Sequence, residues 1–179
     1  MTATHEPSTT HSDLVSGTFR DRDSAERAYD SLTSRGYTKD DINVIMSDDT
    51  RKRHFSHTRV ETDLGSKVAA GGLTGATVGG TIGALAGILA VAGTLAIPGL
   101  GIVLVGPVAA GLAGLGAGAA AGGLLGALVG AGIPEERART YTTDIESGGI
   151  VLGVRPRSAD DATHFEREWA GYHGEHILR

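Results

Sequence analysis

A mixed α/β unit, interrupted by a long helical hairpin, is the fold class the sequence predicts, and three observations predict it. Residues 68–134, 67 in all, carry no charged and no aromatic side chain, whereas all 16 basic and 21 acidic residues fall in 1–67 and 135–179. Inside that apolar block glycine recurs at a spacing of four: Gly71, Gly75, Gly79, Gly83 and Gly87 form one row, and Gly114, Gly118, Gly122, Gly126 and Gly130 form a second. The polar stretches on either side each read as helix, glycine, short strand.

Residues four apart lie on one face of a helix, so each row is a groove bare of side chains into which another backbone can pack closely. The rows are symmetric about Ile97-Pro98-Gly99-Leu100-Gly101, which predicts two helices, about Val68–Ile97 and Ile102–Gly132, joined at that break. Pro98 ends the first, and Pro107 marks or kinks the start of the second. At ~100° per residue each step of four drifts by about 40°, so the grooves wind and favour crossed, right-handed contact. Collagen needs period three, and flexible linkers need serine and polar residues rather than Leu, Ile, Val and Ala. Neither describes this block, which is a glycine-zipper hairpin.

In the first flank Leu14–Phe19 is strand-like, and Asp23 with Glu26 has the spacing of a capping box that opens a helix. Ala25, Ala28, Tyr29 and Leu32 give that helix an apolar face, and Gly36 is its stop. Ile42–Met46 follows as an apolar strand and Ser56–Thr62 as a weaker one. Beyond the apolar block Pro134 suits a first helical turn, with Glu135 and Glu136 at the positive end of the dipole. Tyr141 and Ile145 face the core, and Gly148-Gly149 ends the helix before a strand over Ile150–Val154. Ser158 with Asp161 caps a last helix whose buried stripe is Ala162, Phe165 and Trp169. Two such halves make a split α/β sandwich of the ferredoxin-like kind with the hairpin inserted between them; a plain three-stranded α/β layer is the alternative.

Four segments follow: a loose tail over 1–13, the first half of the α/β unit over 14–66, the glycine-zipper helical hairpin over 67–133, and the second half with its C-terminal helix over 134–179. The 112 flanking residues suffice for one small core once the tail is discounted. Met1–Asp13 is rich in Thr, Ser and His without an apolar stretch, so it reads as a tail and not as a signal peptide. The absence of cysteine excludes disulfides and thiolate metal sites and suits a cytosolic location. A net charge of −5 argues against nucleic acid as a partner, although Arg51-Lys52-Arg53 is a local basic cluster. Because each half carries its own caps, stops and apolar faces, the polar unit is expected to fold without the insertion.

Several stretches together carry a family resemblance: Ser16-Gly17-Thr18-Phe19, Arg35-Gly36-Tyr37 through Asp41-Ile42-Asn43-Val44-Ile45, the glycine-zipper block, Gly132-Ile133-Pro134-Glu135-Glu136, and Gly148-Gly149-Ile150-Val151-Leu152. Over about residues 14 to 155 the chain resembles the bacterial general (heat-induced) stress proteins. The resemblance implies a stress-induced bacterial protein of undefined biochemical activity. Its motifs are turns and strands, and it supplies no catalytic residue.

The sequence offers little chemistry. Gly116-Ala117-Gly118-Ala119-Ala120-Ala121 fits a loose dinucleotide fingerprint, but no strand precedes it and it lies within a zipper row. There is no GxxxxGK phosphate loop. Of seven histidines, His54 and His57 are three apart, as are His173 and His176 with Glu175 between them. All lie in polar segments and read as solvated surface side chains rather than metal ligands. Thr74, Thr77 and Thr81 share a helix face and read as bonding to their own helix carbonyls. No serine, acid and histidine set is placed by a motif, so the chain reads as no enzyme, with no cofactor, metal or small-molecule ligand.

Each predicted helix would be ~45 Å long, against ~30 Å for a hydrocarbon core. Length permits a span, yet Gly and Ala drive insertion weakly, Trp and Tyr belts are missing, and the turn Ile97–Gly101 has no polar residue to meet water on a far side. That pattern predicts a hairpin dipping into a membrane from one side, or one buried among its own copies. Arg51, Lys52, Arg53 and Lys67 mark the cytoplasmic side and are the candidate membrane-surface contacts. The expectation is a stress-related, non-enzymatic structural protein facing the cytosol, a homo-oligomer through its glycine rows and a partner of membrane lipid. A soluble ring or filament with the hairpins inside is the alternative. A ligand-sensing or enzymatic α/β domain has only the ferredoxin-like layer behind it, and fold does not give function.

Overall fold

The computed structural model describes residues 14–55, 84–91, 95–97, 101–109, 116–130 and 132–179. The expected tail, the strand over 56–62, the three threonines of the first row's helix, Lys67, and the row members Gly71, Gly75, Gly79, Gly83 and Gly114 lie outside the described residues. In chain order the elements are β1 (Val15–Phe19), α1 (Arg22–Ser34), β2 (Ile42–Ser47), α2 (Asp48–Phe55), α3 (Ala84–Val91), β3 (Leu95–Ile97), β4 (Ile102–Val105), α4 (Gly116–Gly130), α5 (Glu135–Glu146), β5 (Ile150–Val154), α6 (Ala159–Gly171) and β6 (Glu175–Leu178).

The strands form one sheet in the order β3-β4-β2-β5-β1-β6, and every neighbouring pair is antiparallel. Two β-α-β halves, β1-α1-β2 and β5-α6-β6, interleave in it. The central strand β5 pairs Ile150 with Phe19 of β1 on one side and with Met46 of β2 on the other. Helices cover both faces. On the first, α1, α3 and α6 bury Ala25, Leu32, Leu85, Phe165 and Trp169 against Val15, Phe19, Val44, Met46 and Leu152. On the second, α4 and α5 bury Leu124, Leu128, Tyr141 and Ile145 against Ile45, Ile102, Leu104 and Val151. Sandwiched in this way, the middle strands are buried on both sides and read as continuous apolar runs.

The local signals act largely as expected in the flanks. Helix α1 buries Ala25, Ala28, Tyr29 and Leu32 and stops at Gly36, whose φ of +80° lets Tyr37 N–H reach the Leu32 carbonyl at 3.2 Å. Helix α5 begins after Pro134 and stops in the same way at Gly148 (φ +92°). Ser158 caps α6 by accepting from Asp161 N–H at 3.0 Å. The capping box at Asp23 does not form. Asp21 caps α1 instead, accepting from Ser24 N–H at 2.8 Å, and the Glu26 carboxylate reaches α3. Two elements lie beyond the sequence reading: α2, opened by Ser47 accepting from Thr50 N–H at 3.0 Å, and β6 at the sheet edge.

The largest correction is inside the apolar block. Residues expected to be helical up to Ile97 and again from Ile102 form the antiparallel pair β3-β4, with Ile97 opposite Ile102, and β4 then pairs with β2. Ile102-Val103-Leu104-Val105 is rich in β-branched residues, and the exposed flank of β2 offers it a ladder. Its side chains alternate, Ile102 and Leu104 to the second core, Val103 and Val105 to the first. Gly106 (φ +100°) then turns the chain so tightly that a Cβ there would sit 2.1 Å from the Ile42 carbonyl oxygen. Pro107 opens a helical turn, its missing N–H costing nothing at that position. Nor is the second glycine row carried on one straight helix, because Gly123 (φ 58°, ψ −150°) kinks α4 in the middle.

Candidate functional site

Of the glycine-row residues expected to associate with other copies, the described ones lie on α3 (Gly87) and α4 (Gly118, Gly122, Gly126 and Gly130). Helix α4 turns Leu124, Ala127 and Leu128 inward, leaving Gly122 and Gly130 exposed and Gly126 half-buried; Gly118 belongs to its first half. Val129, 41% accessible, is the large apolar side chain exposed among the described residues. No residue of α4 carries a charge, so its outer face is a strip of glycine edged by Leu125 and Val129. In α3, Gly87 is half-buried between inward Leu85 and Leu89. Among the described residues a Cβ added at Gly87 or at Gly122 would meet nothing within 4 Å, so neither glycine is needed for close packing against them.

Helix α2 carries the basic cluster, and its charges are partly cancelled. Arg51 and Lys52 both pair with Asp48, at 2.8 and 2.6 Å, and the Lys52 bond first, then the Arg51 bond, holds the Asp48 carboxyl below its ordinary range. Arg53 lies beside the Gly148 turn. With Asp48 and Asp49 in its first turn, α2 offers a modest positive surface.

A second cluster escaped the sequence reading. Asp144 of α5 is buried, its side chain 2% accessible, against the second face of the sheet. Its carboxylate accepts from Thr18 Oγ1 at 2.7 Å, from Arg20 Nη2 at 3.0 Å and from His176 Nδ1 at 2.8 Å. Arg20 also reaches Glu175 and Ser147, at 2.8 and 2.7 Å, and Ser16 bonds the Tyr141 hydroxyl one turn before Asp144. Burial pushes the Tyr141 phenol above its ordinary pKa, against the Ser16 bond. His176 is an exposed side chain, as expected, but one of its nitrogens is anchored on the buried acid. An acid beside a histidine suggests proton transfer, but Thr18, whose hydroxyl donates to the same carboxylate oxygen that holds His176, is fully buried and so out of a substrate's reach. The cluster docks α5 and β6 on the sheet. At the far end, Tyr37 donates to Asp161 at 2.7 Å and joins α1 to α6; that bond, ahead of the Arg35 pair, holds the Asp161 carboxyl below its usual range.

Among the described residues no group of three or more His, Asp or Glu side chains is placed to hold a metal ion, and no helix is long and apolar enough to cross a membrane. The loose dinucleotide pattern beginning at Gly116 lies within α4 and forms no strand-to-helix phosphate turn. Comparison with protein-family models, curated proteins and solved structures finds no match to any of them.

Proposed function

We propose that this chain is a non-enzymatic, stress-related structural protein that self-assembles through its glycine rows and rests on the cytoplasmic face of a membrane, with a ferredoxin-like unit as its scaffold. The observation that carries this reading is the open space beside Gly87 and Gly122 together with the uncharged outer face of α4. Glycines that pack against nothing among the described residues, as Gly87 and Gly122 do, are suited to close approach by another backbone. The interleaved β-α-β halves support the ferredoxin-like part of the proposal. An α4 of 15 residues with a central kink and an α3 of eight, on opposite faces of the sheet, each fit a shallow apolar contact better than a crossing.

One observation favours the soluble homo-oligomer as the second reading. Asp48 already pairs with two residues of the basic cluster, which weakens its pull on anionic headgroups. Self-assembly is common to both readings and is tested by Gly87→Leu and Gly122→Leu. Both positions have room for a side chain, so the thermal transition should be preserved while light scattering shows a smaller particle. If particle size is unchanged in both variants, the glycine rows take no part in association.

A further inference from the structure

We propose that Glu26 is a clasp that parks the apolar helix α3 against the polar layer, and that its release lets α3 reach the membrane; the inference rests on the membrane reading above. Helix α3, Ala-Leu-Ala-Gly-Ile-Leu-Ala-Val, contains no polar side chain. The first amides of a helix have no acceptor within it. In α3 that acceptor comes from 59 residues earlier in the chain: Glu26 Oε2 accepts from Leu85 N–H at 2.9 Å and Oε1 from Ala86 N–H at 3.3 Å. Arg22, one turn before Glu26 on α1, steadies the carboxylate at 3.4 Å and is itself held by the His54 carbonyl at 3.3 Å.

This contact has the properties of a catch. Glu26 is 9% accessible, and the amides it serves are buried with it. Once the carboxylate is withdrawn, two N–H groups stand unsatisfied in an apolar setting, a cost that disfavours a half-docked helix. Docking is therefore close to all-or-none. In the docked state Leu85 and Ala86 are almost fully buried and Leu89 nearly so; undocked, they join Ile88 on a helix without one polar side chain, for which lipid is the favourable surroundings.

The test compares the full chain with Glu26→Gln, which keeps the shape and removes the charge, and with Glu26→Ala. Amide hydrogen exchange is followed together with co-sedimentation on phosphatidylcholine–phosphatidylglycerol vesicles. The clasp predicts exchange about tenfold faster or more along all of α3 to Val91 in the alanine variant, a smaller rise in the glutamine variant, and unchanged protection in β1 and β5. The vesicle-bound fraction should rise in the same order. Faster exchange confined to Leu85 and Ala86 would mean a local cap and overturn the clasp. Release of all of α3 with no gain in vesicle binding would overturn the membrane reading and leave the clasp standing.

Discussion

At the residue scale the 28 glycines look alike in the sequence, but they do different jobs. Gly106 is held by the Ile42 backbone, and Gly149 by Asp144 and Thr18, where a Cβ would meet the Asp144 carbonyl oxygen and Thr18 Cγ2, each at 2.8 Å. Gly153 lies in β5 beside a cavity of about 20 Å³ lined by Leu14, Ser16, Asn43 and Tyr141. A Cβ there would make ordinary contacts, the nearest at 3.8 Å. Gly153→Ala should therefore stabilise the fold by roughly 0.4–1 kcal/mol, raising Tm by roughly 1–4 °C. Gly149→Ala should cost about 1–3 kcal/mol through the forced backbone shift. Thermal denaturation of the two variants measures both, and a Gly153→Ala variant that melts below the parent would refute this packing around β5. None of this is legible from spacing, because what each glycine faces is decided by a partner strand or helix far away in the chain.

At the scale of the element, the flanks were legible and the apolar block was not. Caps, stops and apolar faces are local, so α1, α5, α6, β2 and β5 follow from residues within a few positions of each other. The strands β3 and β4 were hidden by a glycine spacing that suggested helix on both sides of Pro98, while the β-branched run Ile102–Val105 carried the opposite signal. Strand β6 was hidden differently. A histidine, His173 at φ +61°, occupies the left-handed position after α6 that Gly36 and Gly148 take after α1 and α5, and Glu175-His176 gave no apolar cue. The Asp144 cluster could not be read at all, since it joins positions 18, 20, 144 and 176 across three elements and a loop. A direct check of the revised block is Leu128→Ala. Leu128 is fully buried between α4, α5 and the sheet, so the loss should be about 2–5 kcal/mol on one cooperative unfolding transition. A separate hairpin would instead leave the melting of the polar unit unchanged.

Across the whole molecule, part of what reads as an insertion has become structural. Leu85 and Leu89 enter the first core; Ile102, Leu104, Leu124 and Leu128 supply much of the second; and β4 extends the sheet beside β2. A polar unit deprived of residues 67–133 would expose one flank of β2 and much of the second sheet face, which argues against its expected independence. The same apolar segment thus holds the fold together and turns glycine-bearing helix surfaces outward on both sides of the sheet, Gly87 of α3 over the first face and Gly122 of α4 over the second. Vesicle flotation of the full chain tests the function proposed for those outward surfaces most directly. With phosphatidylcholine–phosphatidylglycerol vesicles the protein is predicted to rise with the lipid and to lose that association when Gly87 and Gly122 are both replaced by Asp. A full-length protein that stays wholly in the dense fraction with every lipid composition would contradict membrane association.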